Sequence, residues 1–150
     1  MTINREKVIE EIKDLKEKGH VVPHEDMITA KEQIEKIKEV TTTITELLDL
    51  IEKNIKPGIT TEEINNIAHD FIISQWSVPA SLGTQNHLTG QKYTKSITIS
   101  INNEVFLGVL SHDRVLKDGD IVNVCIPIRY NEYSSNVSRM FVVENVSYFS

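Results

Sequence analysis

The chain has 150 residues, a formal net charge of −6 at neutral pH and a single cysteine. This length suits one soluble domain with its own core, and the acidic balance disfavours a nonspecific nucleic-acid surface. One cysteine excludes an internal disulfide. Because no apolar run approaches about 20 residues and the charged N-terminal segment is not typical of a signal peptide, we expect a cytoplasmic protein that binds no membrane.

The first predicted element is a short amphipathic helix near the N-terminus. Gly19 marks its end, and its apolar positions recur at helical spacing: Val8, Ile12 and Leu15. Pro23 opposes a helix in the segment that follows, which we interpret as a linker. We therefore expect an N-terminal helical extension and linker over residues 1–27, acting either as a packing helix or as a docking arm, ahead of a main domain over residues 28–150.

Two longer helices are predicted next. The first begins at Thr29, where Thr29 and Glu32 match a capping box, and Pro57-Gly58 stops it. Thr60 and Glu63 open the second helix in the same way. Both helices carry an apolar stripe, which is typical of a face packed on a core.

Polar residues at unusual positions in these two helices carry further predictions. The run Thr41-Thr42-Thr43 is a poor helix former in the middle of the first helix, and we interpret it as a close packing contact. His69 lies beside the apolar stripe of the second helix. We expect its side chain to be partly buried and hydrogen-bonded rather than a metal ligand.

A β-hairpin is predicted near the end of the chain. Asp118-Gly119-Asp120 signals a turn, and the run Ile121 to Ile128 is rich in the Val and Ile that strands favour. A second strand is predicted over Glu132 to Val143, after a two-residue turn at Tyr130-Asn131. The segment therefore predicts two long antiparallel strands.

The predicted register places Cys125 directly opposite Asn136. Alternation puts Cys125 and Asn123 on one face of the strand and four apolar residues on the other, namely Val122, Val124, Ile126 and Ile128. Directly opposed Cβ atoms lie roughly 4.5–5.5 Å apart. That separation suits two carboxylates that share a pair of metal ions, but the chain has a thiol and an amide at these positions.

Three stretches carry a family resemblance: IKPGITTEEINNIAHDFI at 55–72, SITISINNEVFLGV at 96–109 and LKDGDIVNVCIPIRYNEYSSNVSRMF at 116–141. They resemble the type I methionine aminopeptidases, which have the pita-bread fold, and the resemblance runs from about Ile28 to Val143. It implies an α+β fold in which N-terminal helices precede an antiparallel sheet. Because the sequence stops at Ser150, it implies half of a pita-bread, a truncated methionine aminopeptidase-like domain.

The resemblance also implies active-site positions, and four of them are substituted. Leu107 stands where the family has its substrate-contacting His, and Cys125 and Asn136 stand where it has two metal-binding Asp residues. Ser134 replaces the His of the family's His-Gly-Asp stretch. The family's other ligands, one His and two Glu, belong to its second half. Hard divalent ions need charged oxygen ligands, so we expect vestigial positions with no metal, no cofactor and no catalytic residue.

The polar segment from Thr84 to Ser96 is longer than the corresponding loop of the family. We interpret it either as a solvated loop or as a remodelled recognition surface beside the ancestral substrate pocket. His87 in this segment and Asn123 in the hairpin are the residues that we assign to a candidate binding surface.

Two classes of function follow from these substitutions. The first is a catalytically inactive methionine aminopeptidase-like protein, a pseudoenzyme, that binds a protein or peptide. Half of the fold would expose a sheet edge and an apolar face, so we expect a homodimer or a partner complex. The alternative is an enzyme: a metal-dependent methionine aminopeptidase completed by a second chain, which removes N-terminal Met, or a new activity that uses Cys125.

Overall fold

Helices precede strands along the chain, as predicted. The computed structural model describes residues 4–24, 27, 29–85, 90–105, 108 and 110–144. The helices are α1 (Arg5–Glu17), α2 (Lys31–Asn54) and α3 (Thr61–Ser74), and the strands are β1 (Val78–Pro79), β2 (Thr98–Ile101), β3 (Ile121–Tyr130) and β4 (Tyr133–Val142). The chain divides within α2 into two compact units, Met1–Lys38 and Glu39–Ser150. The expected domain division at residue 27 remains a prediction.

Local capping sets the ends of the helices in the first unit. The side chain of Asn4 accepts hydrogen bonds from the first turn of α1, and Gly19 takes a positive φ of 81° just after that helix. The capping box predicted at Thr29 is wrong, because α2 begins at Lys31. Instead, the backbone N–H of Ala30 donates to Oε1 of Gln33 at 2.8 Å, so a glutamine side chain accepts from a backbone N–H at the start of the helix.

The capping box predicted for α3 is confirmed. The N–H of Glu63 donates to Oγ1 of Thr60 at 3.1 Å, and the N–H of Thr60 donates to Oε2 of Glu63 at 2.8 Å. Hydrogen bonds from the backbone and then the side chain of Thr60 lower the pKa of Glu63. His69, later in α3, is half-buried, and its Nδ1 lies 2.8 Å from Oγ of Ser96, as the sequence predicted.

The four strands form one antiparallel sheet with β3 at its centre. On one side β3 pairs with β1 and β2, and on the other it pairs along its whole length with β4. In the described part of the chain, β4 has no strand neighbour other than β3. The sheet therefore has a ten-residue strand at one edge.

The core lies between one face of this sheet and the helices α2 and α3. The four apolar residues of β3 predicted to share a face are fully buried: Val122, Val124, Ile126 and Ile128. Five residues of α2 pack in the same cluster: Val40, Ile44, Leu47, Leu48 and Ile51. Oγ1 of Thr41 lies 2.7 Å from Oγ of Ser135 on β4, so the threonine run does contain a close contact. Among the described residues, no helix has the length and apolar character that a bilayer crossing would require.

Candidate functional site

The predicted site residues of the hairpin share the other face of the sheet. Asn123 and Cys125 lie on β3, and both point away from the core. Ser134 and Asn136 lie on β4, at positions paired with residues of that same outward face. The two β3 residues are half-buried and the two β4 residues are exposed. Because side chains alternate along strands, these four residues belong to one surface.

The hairpin turn lies one residue later than predicted. Tyr130 pairs with Tyr133, so the turn consists of Asn131 and Glu132. Asn131 takes a positive φ of 52° at the first turn position, a conformation that asparagine tolerates better than most residues. The tyrosine pair closes the strands across this turn, and cross-strand aromatic pairs stabilise such positions.

This turn changes the partners of Cys125 and Asn136, the two positions at which the family resemblance implies metal ligands. Cys125 pairs with Ser138, and Asn136 pairs with Pro127, so the prediction that Cys125 and Asn136 are directly opposed is wrong. Each residue of β3 pairs with a β4 residue two positions later than predicted. A shift by an even number leaves every side chain on its predicted face. Cys125 and Asn136 are therefore diagonal neighbours, which still brings their side chains within reach.

A direct hydrogen bond joins the two diagonal residues. Sγ of Cys125 donates to Oδ1 of Asn136 at 3.1 Å. A thiol is a weak donor, and an amide oxygen carries no formal charge, so the contact is a weak, neutral one. The thiol proton and the amide oxygen thus satisfy each other at the centre of the outward face.

Tyr93 lies beside this pair, which the sequence did not predict. Its hydroxyl donates to the carbonyl oxygen of Ile97 at 2.8 Å. Burial raises the pKa of Tyr93 to about 12, and the neighbouring Cys125 adds to the shift. Tyr93 belongs to the polar segment from Thr84 to Ser96. A single aromatic residue in an irregular segment has no periodicity from which its burial could be predicted. Tyr93 therefore brings this end of the segment close to Cys125.

The residues of this site do not fit a dinuclear metal centre. In the part of the chain that the structure describes, no three His, Cys, Asp or Glu side chains form a group that could hold an ion. The two candidate positions offer one thiol and one amide, already hydrogen-bonded to each other. Divalent metal pairs are held by several charged oxygen ligands, so this donor set is unsuited to one.

Two further candidate residues, Leu107 and His87, lie outside the described residues. The glycine that follows Leu107 is described and buried. A Cβ on Gly108 would lie 2.2 Å from the carbonyl oxygen of Ile99 on β2, far closer than van der Waals contact. The backbone at Gly108 therefore approaches the sheet at a distance that only glycine permits.

The outward face also carries an apolar group beside the polar pair. Ile121 pairs with Val142, and Asn123 pairs with Met140, so the three apolar side chains are adjacent. Ile121 is 46% exposed, Val142 56% and Met140 64%. We call these three residues the apolar corner. A contiguous exposed apolar patch is a feature of protein interaction sites.

Comparison with known proteins agrees with the resemblance seen in the sequence. The model of Metallopeptidase family M24 matches residues 32–148. A methionine aminopeptidase of Buchnera aphidicola subsp. Schizaphis graminum is 40% identical over 124 residues, which are 83% of this chain and 45% of that protein. The chain therefore spans less than half the length of this relative.

Solved structures of methionine aminopeptidases match the fold. The enzyme from Rickettsia prowazekii is 33% identical with a TM-score of 0.70, over 79% of this chain and 45% of that one. The enzyme from Thermotoga maritima is 26% identical with a TM-score of 0.70, over 78% of this chain and 45% of that one. The helices and the sheet thus form half of a pita-bread fold, as predicted. With more than half of its residues inside the family match, the chain belongs to metallopeptidase family M24 and is related to the methionine aminopeptidases.

Proposed function

We propose that this chain is a catalytically inactive methionine aminopeptidase-like protein that acts by binding a protein or peptide. The observation that carries the proposal is the hydrogen bond between Cys125 and Asn136. It occupies the two positions where the family resemblance implies metal-binding aspartates. A neutral pair there supplies neither the charge nor the free oxygen atoms that a metal pair requires.

The loss of these ligands bears directly on catalysis. In metal-dependent hydrolysis the ions lower the pKa of bound water and polarise the substrate carbonyl. Tyr93 and Thr98, the neighbours of Cys125 on its other side, bring no acidic group to the site. The described neighbours of Cys125 on the sheet, Thr98, Asn136 and Ser138, therefore include no carboxylate or imidazole that could activate water in place of the metals.

Binding is supported by the surface around the pair. The apolar corner is exposed on the same face, and Ser138, the β4 residue between the pair and that corner, is uncharged. Mixed apolar and neutral polar surfaces desolvate at lower cost than charged ones, which favours a protein or peptide ligand. Either a homodimer or a complex with another protein would cover this surface.

The catalytic half of the proposal is tested by metal content and peptidase activity. The purified 150-residue chain is equilibrated with Mn²⁺ or Co²⁺, analysed for bound metal, and incubated with a peptide that begins with Met. A full-length bacterial methionine aminopeptidase serves as the positive control. We expect no bound metal and no released methionine. Metal-dependent release would contradict the proposal and favour the alternative, an aminopeptidase completed by a second copy of the chain.

The binding half is tested by substitution in the apolar corner. Self-association is measured by sedimentation, and peptide binding by fluorescence anisotropy with a labelled peptide that begins with Met. We expect Met140→Lys to weaken whichever interaction the native chain shows, because a charge would then be desolvated at the centre of the corner. Glu144→Lys, which adds a lysine at an exposed residue just beyond β4, is the matched control. If the native chain neither self-associates nor binds the peptide, the binding proposal is wrong.

A further inference from the structure

The backbone of β4 presents a row of hydrogen-bonding groups to an edge of the sheet at which the described residues place no further strand. The pair that closes a two-residue turn exchanges both of its hydrogen bonds, and bonded and non-bonded pairs then alternate along the hairpin. The pairing of Tyr130 with Tyr133 therefore directs every second residue of β4 toward β3. The others direct their N–H and C=O groups outward: Ser134, Asn136, Ser138, Met140 and Val142.

Contacts on the far side of β3 support this assignment. The carbonyl of Ile121 accepts from the N–H of Asn102, and the carbonyl of Pro127 accepts from the N–H of Ala80. Odd-numbered residues of β3 thus bond away from β4, which leaves its even-numbered residues to bond β4. Pro127, which has no N–H, is tolerated here because a donor is not required at every position on that side.

The sequence and pairing of β4 itself lack the features that keep sheet edges apart. Proteins protect long edge strands with lysine, proline, bulges or inward-pointing charges. β4 contains no proline or lysine, and its pairing with β3 is continuous from Tyr133 to Val142. Its only charged residue, Arg139, lies on the other face, where Nη1 is 2.7 Å from Oδ1 of Asp49 and 3.4 Å from Oε2 of Glu52. No charge on the outward face of β4 therefore opposes the approach of another strand.

We propose that a second copy of this chain pairs with this edge, so that the two β4 strands run antiparallel around a twofold axis at Ser138. Ser138 then faces the partner's Ser138, while Met140 faces the partner's Asn136 and Val142 faces the partner's Ser134. The outward-directed groups of the two strands would form about ten backbone hydrogen bonds. The two sheets become one, and both apolar corners lie on its outward face. The inference rests on the proposed binding function and names the partner at the sheet edge, while the outward face with both apolar corners remains available to a peptide.

A second copy suits this edge better than a flexible peptide does. The strand is already ordered on β3, whereas an extended peptide loses roughly 1–2 kcal/mol of backbone entropy per ordered residue. A twofold axis makes the contact self-complementary, so each outward N–H of one β4 meets an outward C=O of the partner's β4. At the axis, serine faces serine, so the contact brings together neither like charges nor bulky side chains.

Charge at the axis gives a direct test. In Ser138→Lys and in Ser138→Glu, two side chains of like charge would face each other in the dimer, with their Cβ atoms about 5 Å apart. We expect each variant to self-associate at least about tenfold more weakly than the native chain, measured by sedimentation equilibrium. An equimolar mixture of the two variants places Lys opposite Glu, and we expect it to recover dimers with an affinity within about threefold of the native value.

Two controls separate pairing from folding. Ser138→Thr keeps a neutral, strand-compatible side chain and should leave the dimer intact. Ser138→Pro removes only an outward N–H, so it should abolish the dimer while the circular dichroism spectrum and cooperative melting are retained. A native chain that stays monomeric at all concentrations would overturn the proposal, as would a mixture that gives no dimer. Because the readout is mass, a failure here leaves the result of the metal and methionine-release test unaffected.

Discussion

The thiol of Cys125 donates a hydrogen bond to Oδ1 of Asn136 across 3.1 Å, although the two residues are not partners in the hairpin register. Diagonal neighbours on one face can meet when the intervening side chains are small, and the register partner of Cys125 is Ser138. The backbone thus still presents two side chains that converge on one point. The family resemblance implies carboxylates at these two positions, whereas the chain has a thiol and an amide there.

Carboxylates introduced at both positions should create metal affinity and reduce the stability of the metal-free protein. In Cys125→Asp with Asn136→Asp, two negative charges replace a neutral hydrogen-bonded pair, so they repel each other without an ion. We expect the metal-free double variant to lose about 1–2 kcal/mol of unfolding free energy. Added Mn²⁺ should restore part of the loss in a thermal-shift measurement, because the ion binds the folded state.

The single variant Cys125→Asp is the control for this experiment. Its carboxylate lies beside an amide, so it offers one charge instead of two, and its melting temperature should respond to Mn²⁺ much less than that of the double variant. An equal response in the single variant, the double variant and the native chain would show that ions bind elsewhere and would contradict the predicted convergence of the two side chains.

Gly108→Ala should destabilise the protein strongly. A Cβ there would lie 2.2 Å from the carbonyl oxygen of Ile99, and that backbone atom belongs to β2 and cannot move aside alone. We expect a loss of about 2 kcal/mol or more, measured by urea denaturation. Gly83→Ala is the matched control. Gly83 has φ of 80° but open space around it, so that variant should lose only about 1 kcal/mol from backbone strain.

The element order and the buried face of the sheet followed from local sequence patterns. Alternation in Ile121 to Ile128 predicted which side chains of β3 are buried, because a strand has a fixed period of two. The register did not follow, since Tyr130-Asn131 and Asn131-Glu132 differ little in local propensity. The choice between them depends on the positive φ of Asn131 and on cross-strand pairing, which no short window of sequence contains.

The candidate site was predictable only where it lies on regular strands. The predicted common face of Asn123, Cys125 and Asn136 is correct despite the wrong register, because a shift by an even number of residues leaves side chains on the same face. Tyr93 was missed because its burial depends on how an irregular segment folds over β2 and β3. Contacts of that kind are set by tertiary packing and leave no period in the sequence.

Protonation of Asp120 in acid should lower the stability of the hairpin. The side chain of Asn102 donates to Oδ1 of Asp120 at 2.9 Å, the N–H of Lys117 donates to Oδ2 at 2.8 Å, and together they lower the pKa of Asp120. A lowered folded-state pKa gives stability that is present above the unfolded value of about 3.9 and is lost as the pH falls through the folded value. Asp120→Asn should therefore be less stable than the native chain at neutral pH.

The difference in unfolding free energy between the native chain and Asp120→Asn should narrow as the pH falls from about 5 to about 2, because the carboxylate of Asp120 then takes up a proton. Urea denaturation across that range measures it. A difference that is independent of pH would mean that the hydrogen bonds to Asp120 do not depend on its charge.

Trp76→Gly should stabilise the protein. Trp76 follows α3 with a positive φ of 56° and is 89% exposed, so it carries backbone strain without burying its indole. Its N–H donates to the carbonyl of Ile73 at 3.0 Å, and the N–H of Ser77 donates to that of Ile72 at 3.2 Å. This is the Schellman pattern, in which the left-handed position favours glycine, and we expect a gain of about 1 kcal/mol. Circular dichroism must follow the unfolding, because Trp76 is the only tryptophan.

Trp76→Ala distinguishes backbone strain from loss of the side chain. Alanine removes the indole but keeps a Cβ in the left-handed region, so it should leave the unfolding free energy nearly unchanged. Equal gains for alanine and glycine would assign the effect to the exposed indole instead. A loss in both variants would mean that the indole contributes to the fold despite its exposure, and the strain at this helix end would then be offset by contacts of the side chain.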